Sequence, residues 1–316
     1  PKHQSIDHLF REQAKKTPQE TALIDGEEKI SFHELNQLKN KIANYLILNQ
    51  CKEGQPIAVK LDHTKYLIAT LLAVKSIGCM YVSLDITTPV SRVDYIMQDS
   101  ESKFLFDEYL LKKNLKEILL QPDELLDAEK TADNVDQIEC IIYTSGSTGN
   151  PKGVKINNVG IMNRLHWMWK KYPFQKNEVC CIKTSIGFVD HIWEIFGPLL
   201  RGIPSVMIKK EEIFNIRKLI EKLAIHNVTR IVLVPSLLNE ILNYDRFYLS
   251  RLEKLNLWSC SGEELKYNLV NKFYETFQSD TKRLLNIYGS TEVTADATYF
   301  DTYEASPRPS PKERVF

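Results

Sequence analysis

Short runs of β-branched and aliphatic residues alternate along the chain with segments whose apolar positions recur at helical spacing. That is the pattern of βα units packed around parallel sheets. Ser31 followed by Glu34 is a capping box, and Leu35, Leu38, Ile42 and Tyr45 behind it share one helical face. Pro56 to Leu61 reads as a buried strand, Lys65 to Ile77 as a helix closed by Gly78, and Met80 to Leu84 as the next strand, giving one βαβ unit. From Leu111 to Gln137 charge is dense and β signal weak, so this stretch is expected to bridge two layers over the surface. Beyond it, strands are expected at Ile138 to Tyr143, Glu178 to Ser185, Val228 to Val234, Leu255 to Ser261 and Arg283 to Tyr288. Helices fall between them at Val159 to Tyr172, His191 to Leu200, Ile213 to Ala224 and Lys266 to Phe277. The fold class is α/β: two packed subdomains with mixed, largely parallel sheets sandwiched by helices. Residues 1–137 form the first and 138–303 the second; 304–316, rich in Pro and charge, reads as a disordered tail.

Composition narrows the function classes. Forty-one Lys+Arg balance 41 Asp+Glu in 316 residues, so no global field gathers nucleic acid or an anionic membrane. The six cysteines, Cys51, Cys79, Cys140, Cys180, Cys181 and Cys260, show no C-x-x-C spacing, which indicates neither a zinc site nor a disulfide framework. The first ten residues lack a basic stretch followed by an apolar one, and the most apolar segment, Tyr66 to Leu84, is broken by Lys75, Ser76 and Gly78. A cytoplasmic protein with no membrane partner is expected.

The strongest local signal is YTSGSTGNPKG, Tyr143 to Gly153, directly after a strand. Gly146 and Gly149 let backbone N–H groups approach a polyphosphate, Ser145, Ser147 and Thr148 add hydroxyl donors, and Lys152 adds positive charge. The physical reading is ATP phosphate binding. It is not a Walker A loop, because Lys152 follows Pro151 and precedes Gly153.

This loop resembles the signature of the adenylate-forming superfamily, which includes acyl-CoA synthetases, luciferases and the adenylation domains of nonribosomal peptide synthetases. Other segments agree in order. ISFHELN (Ile30 to Asn36) resembles "TYxELN", and LLAVKSIGCMYVSLD (Leu71 to Asp85) resembles "LAVLKAGAAYVPLD", with Ser83 where the family has proline. SGEEL (Ser261 to Leu265) resembles the "GGE" motif, and NIYGSTE (Asn286 to Glu292) resembles "NxYGPTE" with Ser290 replacing proline. The resemblance implies a two-step chemistry: a substrate carboxylate attacks the α-phosphate of ATP to give an acyl-adenylate and pyrophosphate, and the acyl group then passes to a thiol. It implies that Thr144, Ser145, Thr148 and Lys152 hold the β- and γ-phosphates, that Asn286 and Tyr288 frame the adenine, and that Gly262 and Glu263 line the nucleotide side. Thr291 would contact the α-phosphate and Glu292 would bind Mg²⁺. Fixed donors and a cation suit the charge that develops on phosphate oxygens.

GFVDHIWEIFGPLL, Gly187 to Leu200, resembles the family's "FDxSxWExF" motif. In enzymes for α-amino acids an aspartate follows the Phe and pairs with the α-ammonium; here that place is Val189 and the carboxylate moves one residue on, to Asp190. The aligned pocket positions are Val189, Asp190, Trp193, Val232, Ser259, Ser261, Ile287, Ala295 and Asp296. They resemble the pattern of domains that activate β-alanine, in which Val-Asp is the first pair. An ammonium one carbon farther from the carboxylate cannot meet both the reacting phosphate and the ordinary aspartate, whereas a displaced anion can reach it. Read in isolation, Asp190 would cap the helix after it. The partner of Asp296 is not apparent, His191 reads as a polar residue at the pocket rim, and Arg164, His166, Trp167 and Trp169 read as packing and surface residues.

Full adenylation domains continue into a ribose-binding "YxTGD" motif, a hinge and a small C-terminal domain with a catalytic lysine near "NGKxDR". None is found here, so the resemblance implies an incomplete large domain, truncated before that subdomain and impaired in the first half-reaction. Three functions are therefore in play: part of an enzyme that loads a small β-amino acid onto a phosphopantetheine carrier domain, a catalytically silent nucleotide-binding module, or an acyl-CoA synthetase for another carboxylic acid.

Overall fold

The computed structural model describes residues 4–126, 137–145 and 150–305. The strands among them are β1 (Thr21–Asp25), β2 (Glu28–Ser31), β3 (Pro56–Lys60), β4 (Met80–Ser83), β5 (Phe104–Asp107), β6 (Ile138–Thr144) and β7 (Lys152–Asn157). They continue with β8 (Cys180–Ile182), β9 (Ser205–Met207), β10 (Arg230–Leu233), β11 (Leu257–Cys260), β12 (Arg283–Ser290) and β13 (Ala295–Asp301). Eight form one sheet in the order β13-β12-β11-β10-β8-β9-β1-β2, and five form a second in the order β5-β3-β4-β6-β7. Pairing is parallel except at β1–β2, β6–β7 and β12–β13. The inner strands read as short apolar runs because parallel strands covered by helices are buried on both faces; Ile57, Ala58 and Val59 of β3 are all at most 1% exposed.

The division placed after residue 137 does not coincide with a division between sheets. β6 and β7, beyond it, belong with β3, β4 and β5, while β1 and β2, before it, join the eight-stranded sheet. The β1–β9 pair, Leu23 against Ser205, links segments more than half the chain apart, and local pattern carries no trace of such a partner. One core runs from Phe10, Leu35 and Leu71 to Leu165 and Phe196 between the helices of the two sheets. A second, with Leu219, Ile231, Trp258 and Phe273, lies on the other face of the larger sheet.

The capping box is present: Ser31 Oγ accepts from Glu34 N at 3.2 Å and the Glu34 carboxylate accepts from Ser31 N at 2.8 Å, opening the Phe32–Leu48 helix. The charged stretch from Leu111 is not a surface bridge at its start. It continues the Glu108–Leu119 helix, capped by Asp107 on Leu110 N at 2.8 Å, with Leu111 and Ile118 buried. Its apolar residues are few but share one face, which is enough for a helix lying on a larger neighbour. The turn after this helix is pinned by Asn44, whose Nδ2 donates to the carbonyls of Pro122 and Glu124 at 3.1 and 2.8 Å. The strand expected from Glu178 to Ser185 is shorter, Cys180–Ile182. The expected tail, 306–316, lies outside the described residues. No helix among the described residues is long and apolar enough to cross a membrane.

Candidate active site

The carboxyl ends of β10, β11 and β12, the turn into β13 and the start of the His191–Leu199 helix meet at one place, where ligands of parallel α/β sheets bind. Val232 and Ser259 are cross-strand partners on β10 and β11. Strand alternation sends Trp258 and Cys260 into the second core. Ser261, one step past β11, donates from Oγ to Asp190 Oδ2 at 3.0 Å, and Trp193 Nε1 donates to Asp190 Oδ1 at 3.0 Å. Asp190 does not cap its helix: its backbone is αR and its side chain makes no cap bond. Both its oxygens are turned to neutral donors of the cleft. Val189, Trp193, Val232, Ser259, Ser261, Ile287 and Ala295 are each buried to 9% exposure or less.

Asp296 has a partner that its sequence neighbourhood does not show. Arg164, from the Asn158–Lys171 helix, donates from Nε to Asp296 Oδ2, and the two side chains are each only 6% exposed. The Arg164 guanidinium lies between two indoles, 4.7 Å from the centroid of Trp167 and 4.6 Å from that of Trp193. Burial pushes the Asp296 carboxyl up to about 6, against the pull of Arg164 and with a contribution from the Asp190 charge. Arg164 is thus not a surface residue. A charge on the buried face that holds Ile161, Leu165 and Met168 is the signal that marks it.

The residues expected to hold the nucleotide lie on the β6–β7 hairpin, in the turn after β12 and just past β11. Gly146, Ser147, Thr148 and Gly149 lie outside the described residues. Thr144 and Lys152 face each other across the hairpin ends, with Lys152 exposed. Thr144, Ser145 and Thr291 line one cavity of about 650 Å³ together with Asp85, Arg92 and Lys210. Burial raises the Asp85 carboxyl, but Lys210 Nζ at 2.6 Å and the hydroxyls of Ser185 and Thr87 outweigh it and hold the group well below the usual carboxylate range. Asn286 sits in β12 between Cys260 and Phe300, Tyr288 is 75% exposed, and Glu292 is an exposed carboxylate in the Thr291–Val293 turn. Gly262 takes a left-handed φ of +81°, and the Glu263 carboxylate accepts from the N–H and hydroxyl of Ser236, both at 2.9 Å. The hydroxyl-bearing residues Thr144, Ser145 and Thr291 around a cavity of this size fit a triphosphate. Glu292, next to Thr291 in sequence but not itself lining the cavity, is a solvated acid of the kind that can hold a divalent cation.

His191 is not at the rim. It is fully buried, with Nδ1 2.7 Å from the Phe188 carbonyl and Nε2 2.9 Å from the Tyr81 hydroxyl, so Nδ1 carries the proton and Nε2 accepts. Burial pushes its pKa down to about 4, against the pull of the Phe188 carbonyl. Folded His191 therefore refuses a proton that the unfolded chain accepts below about 6.5, so its contribution to stability is full above 6.5 and is lost as pH falls toward 4, at about 1.4 kcal/mol per pH unit. Urea unfolding at several pH values should show His191→Phe losing less stability than the parent between pH 6.5 and 4.5. Parallel curves would contradict the assignment.

Residues 10–314 match the family described as AMP-binding enzyme. The chain is 33% identical over 298 residues to the beta-alanyl-bioamine nonribosomal peptide synthetase ebony of Drosophila melanogaster, covering 85% of this chain and 34% of that protein. It is 32% identical over 328 residues to tyrocidine synthase 3 of Brevibacillus parabrevis, covering 98% of this chain and 5% of that protein. The chain thus spans a small part of the length of these relatives. Among solved structures, the N-terminal subdomain of Klebsiella oxytoca NpsA in complex with 3-hydroxyanthranilyl-AMSN superposes with a TM-score of 0.84 at 22% identity, over 94% of this chain and 75% of that one. The AMPPNP-bound nonribosomal peptide synthetase FmoA3 gives 0.80 at 20% identity, over 98% of this chain and 34% of that one. At such identity the likeness is one of fold. The family match starts ahead of β1 and runs through both sheets, so every wall of the cleft lies inside it, and the chain belongs to the AMP-binding enzyme family, whose members are adenylate-forming ligases.

Proposed function

We propose that this chain is the nucleotide- and amino-acid-binding part of an enzyme that activates β-alanine, or a close β-amino acid, as its acyl-adenylate for transfer to the phosphopantetheine thiol of a carrier domain. The observation that carries the reading is Asp190. Its carboxylate leaves the helix end uncapped and is held toward the cleft by Trp193 and Ser261, ready for an ammonium that Val189 cannot serve. Trp193 limits the depth of the subsite and favours a short substrate without a side chain. The name of the Drosophila relative, a beta-alanyl synthetase, points the same way. Three charged side chains around the subsite argue against an apolar acyl tail.

The substrate carboxylate oxygen attacks the α-phosphorus and the bond to the pyrophosphate oxygen breaks. Thr144, Ser145 and Lys152, with Ser147 and Thr148 of the same turn, would hold the β- and γ-phosphates, Thr291 the α-phosphate, Glu292 the Mg²⁺, and Asn286 and Tyr288 the adenine. Mg²⁺, when bound, supplies charge neutralisation on the leaving oxygens. No general base is required, because the attacking carboxylate is already ionised near neutral pH.

Non-hydrolysable sulfamoyl adenosines carrying different acyl groups test this by calorimetry on the chain itself. The β-alanyl compound should bind at least tenfold tighter than the propionyl compound, which lacks the amine. Asp190→Asn should weaken the β-alanyl compound about 10- to 100-fold, the effect of losing a partly buried charge pair, and leave the propionyl compound unchanged. Equal binding of the two compounds to the parent protein would exclude an amino-acid substrate.

A further inference from the structure

Two carboxylates, Asp190 and Asp296, border the amine subsite, yet a β-amino acid brings one ammonium. Trp193 connects the charges, with its Nε1 on Asp190 and its ring face under Arg164. Arg164 bonds Asp296 through Nε, while its Nη1 and Nη2 are buried without a hydrogen-bond partner among the described residues. A buried guanidinium with two open donors is unfavourable unless its charge is matched by its surroundings, here the Asp296 carboxylate and two indole faces. The neighbouring ionisable groups on the Trp193 helix are turned elsewhere. Glu194 accepts from the backbone N–H of Thr184 at 2.7 Å and from its hydroxyl at 2.6 Å, and His191 faces Tyr81. The subsite thus contains two negative charges and one positive.

We propose that Arg164 is a specificity-determining residue: by neutralising Asp296 it leaves Asp190 as the single uncompensated carboxylate, so the subsite selects acyl groups with one ammonium over neutral acids and over diamines. The inference rests on the proposed β-amino-acid reading and deepens it. A net charge of minus one in a buried site matches a monocation. Plus one removed from it creates room for a second ammonium, and minus one removed abolishes the attraction.

The test measures binding of three sulfamoyl adenosines, β-alanyl, 2,3-diaminopropionyl and propionyl, to the chain and to variants, with the ratio between compounds read within each protein. Asp296→Asn brings the subsite to neutrality and should lower the β-alanyl-to-propionyl ratio at least tenfold. Arg164→Met combined with Asp296→Asn restores the net charge and should return that ratio to within about threefold of the parent. Arg164→Met alone should shift the ratio of 2,3-diaminopropionyl to β-alanyl at least tenfold toward the diamine. A structural role for Arg164 would lower all three affinities together and leave the ratios flat, which overturns the proposal. Tighter binding of a β-aspartyl compound than of the β-alanyl one by the parent protein would overturn it too, since the open guanidinium donors would then be reading an anion. Failure of the underlying reading looks different: the parent itself would not distinguish β-alanyl from propionyl.

Discussion

Replacing Gly289 by alanine will destabilise the protein by about 3 kcal/mol and abolish binding of acyl sulfamoyl adenosines. Gly289 lies where the β12–β13 register shifts, opposite Asp296, and a Cβ built on it would fall 1.5 Å from the Ala295 carbonyl oxygen and 2.5 Å from its carbon. The obstacle is backbone, so no rotamer change relieves it. The turn has little slack either, because Thr294 and Ala295 already take positive φ values of 61° and 77°. On the outer side Gly160 lets the Asn158–Lys171 helix approach Thr294, where a side chain would meet its Oγ1 at 2.7 Å. Displacing this turn moves Thr291 on the proposed nucleotide side and Ala295 and Asp296 on the proposed acyl side at once. Gly26→Ala is the control. Gly26 has a φ of +64° with open space around a Cβ, so the change carries only the left-handed backbone penalty of about 1 to 2 kcal/mol. Chemical denaturation of both variants separates clash from backbone strain; a Gly289→Ala midpoint no lower than that of Gly26→Ala would refute the close-approach argument.

The features legible in the sequence are those that local chemistry determines. The Ser31 and Glu34 cap, the helix Lys65–Ser76 and the apolar strands β3, β4, β10 and β11 arise from residue type and spacing within a dozen positions. Motif spacing groups Asp190, Trp193 and Ser261 in one expected site, and the structure brings the three side chains into contact. Features that depend on distant partners are not. β1 is a short strand that pairs across to β9 and carries β2 as its antiparallel edge partner, and β13 is recognisable only as the return strand of β12. Arg164 and Asp296 are 132 positions apart, so neither segment alone says that an ion pair forms. The Glu108–Leu119 helix is hidden for another reason: one narrow apolar face on a charged sequence does not stand out until the helix it lies against is known.

A second long-range pair underlies the last prediction. Lys75, near the end of the Lys65–Ser76 helix, meets Glu139 of β6 at 2.7 Å, with the two side chains 2% and 0% exposed. Lys75 Nζ also reaches the Cys79 carbonyl at 3.2 Å, while burial pushes the Glu139 carboxyl up against the pull of Lys75. The pair clamps β6 beside β4, and β6 leads at its far end into the turn proposed to hold the phosphates. Lys75→Met should destabilise by about 3 to 5 kcal/mol, since it leaves a buried carboxylate without its cation. Removing both charges in a Lys75→Met, Glu139→Leu variant should recover most of that loss, because desolvating an ion pair offsets much of its attraction. The same double variant should bind sulfamoyl adenosine as the parent does, since the contribution of the pair is to the position of β6 and a packed apolar pair holds that position equally well. Additive losses in the double variant, seen in urea unfolding, would instead mean that Lys75 acts through the backbone carbonyls it caps and that the charge of Glu139 is incidental.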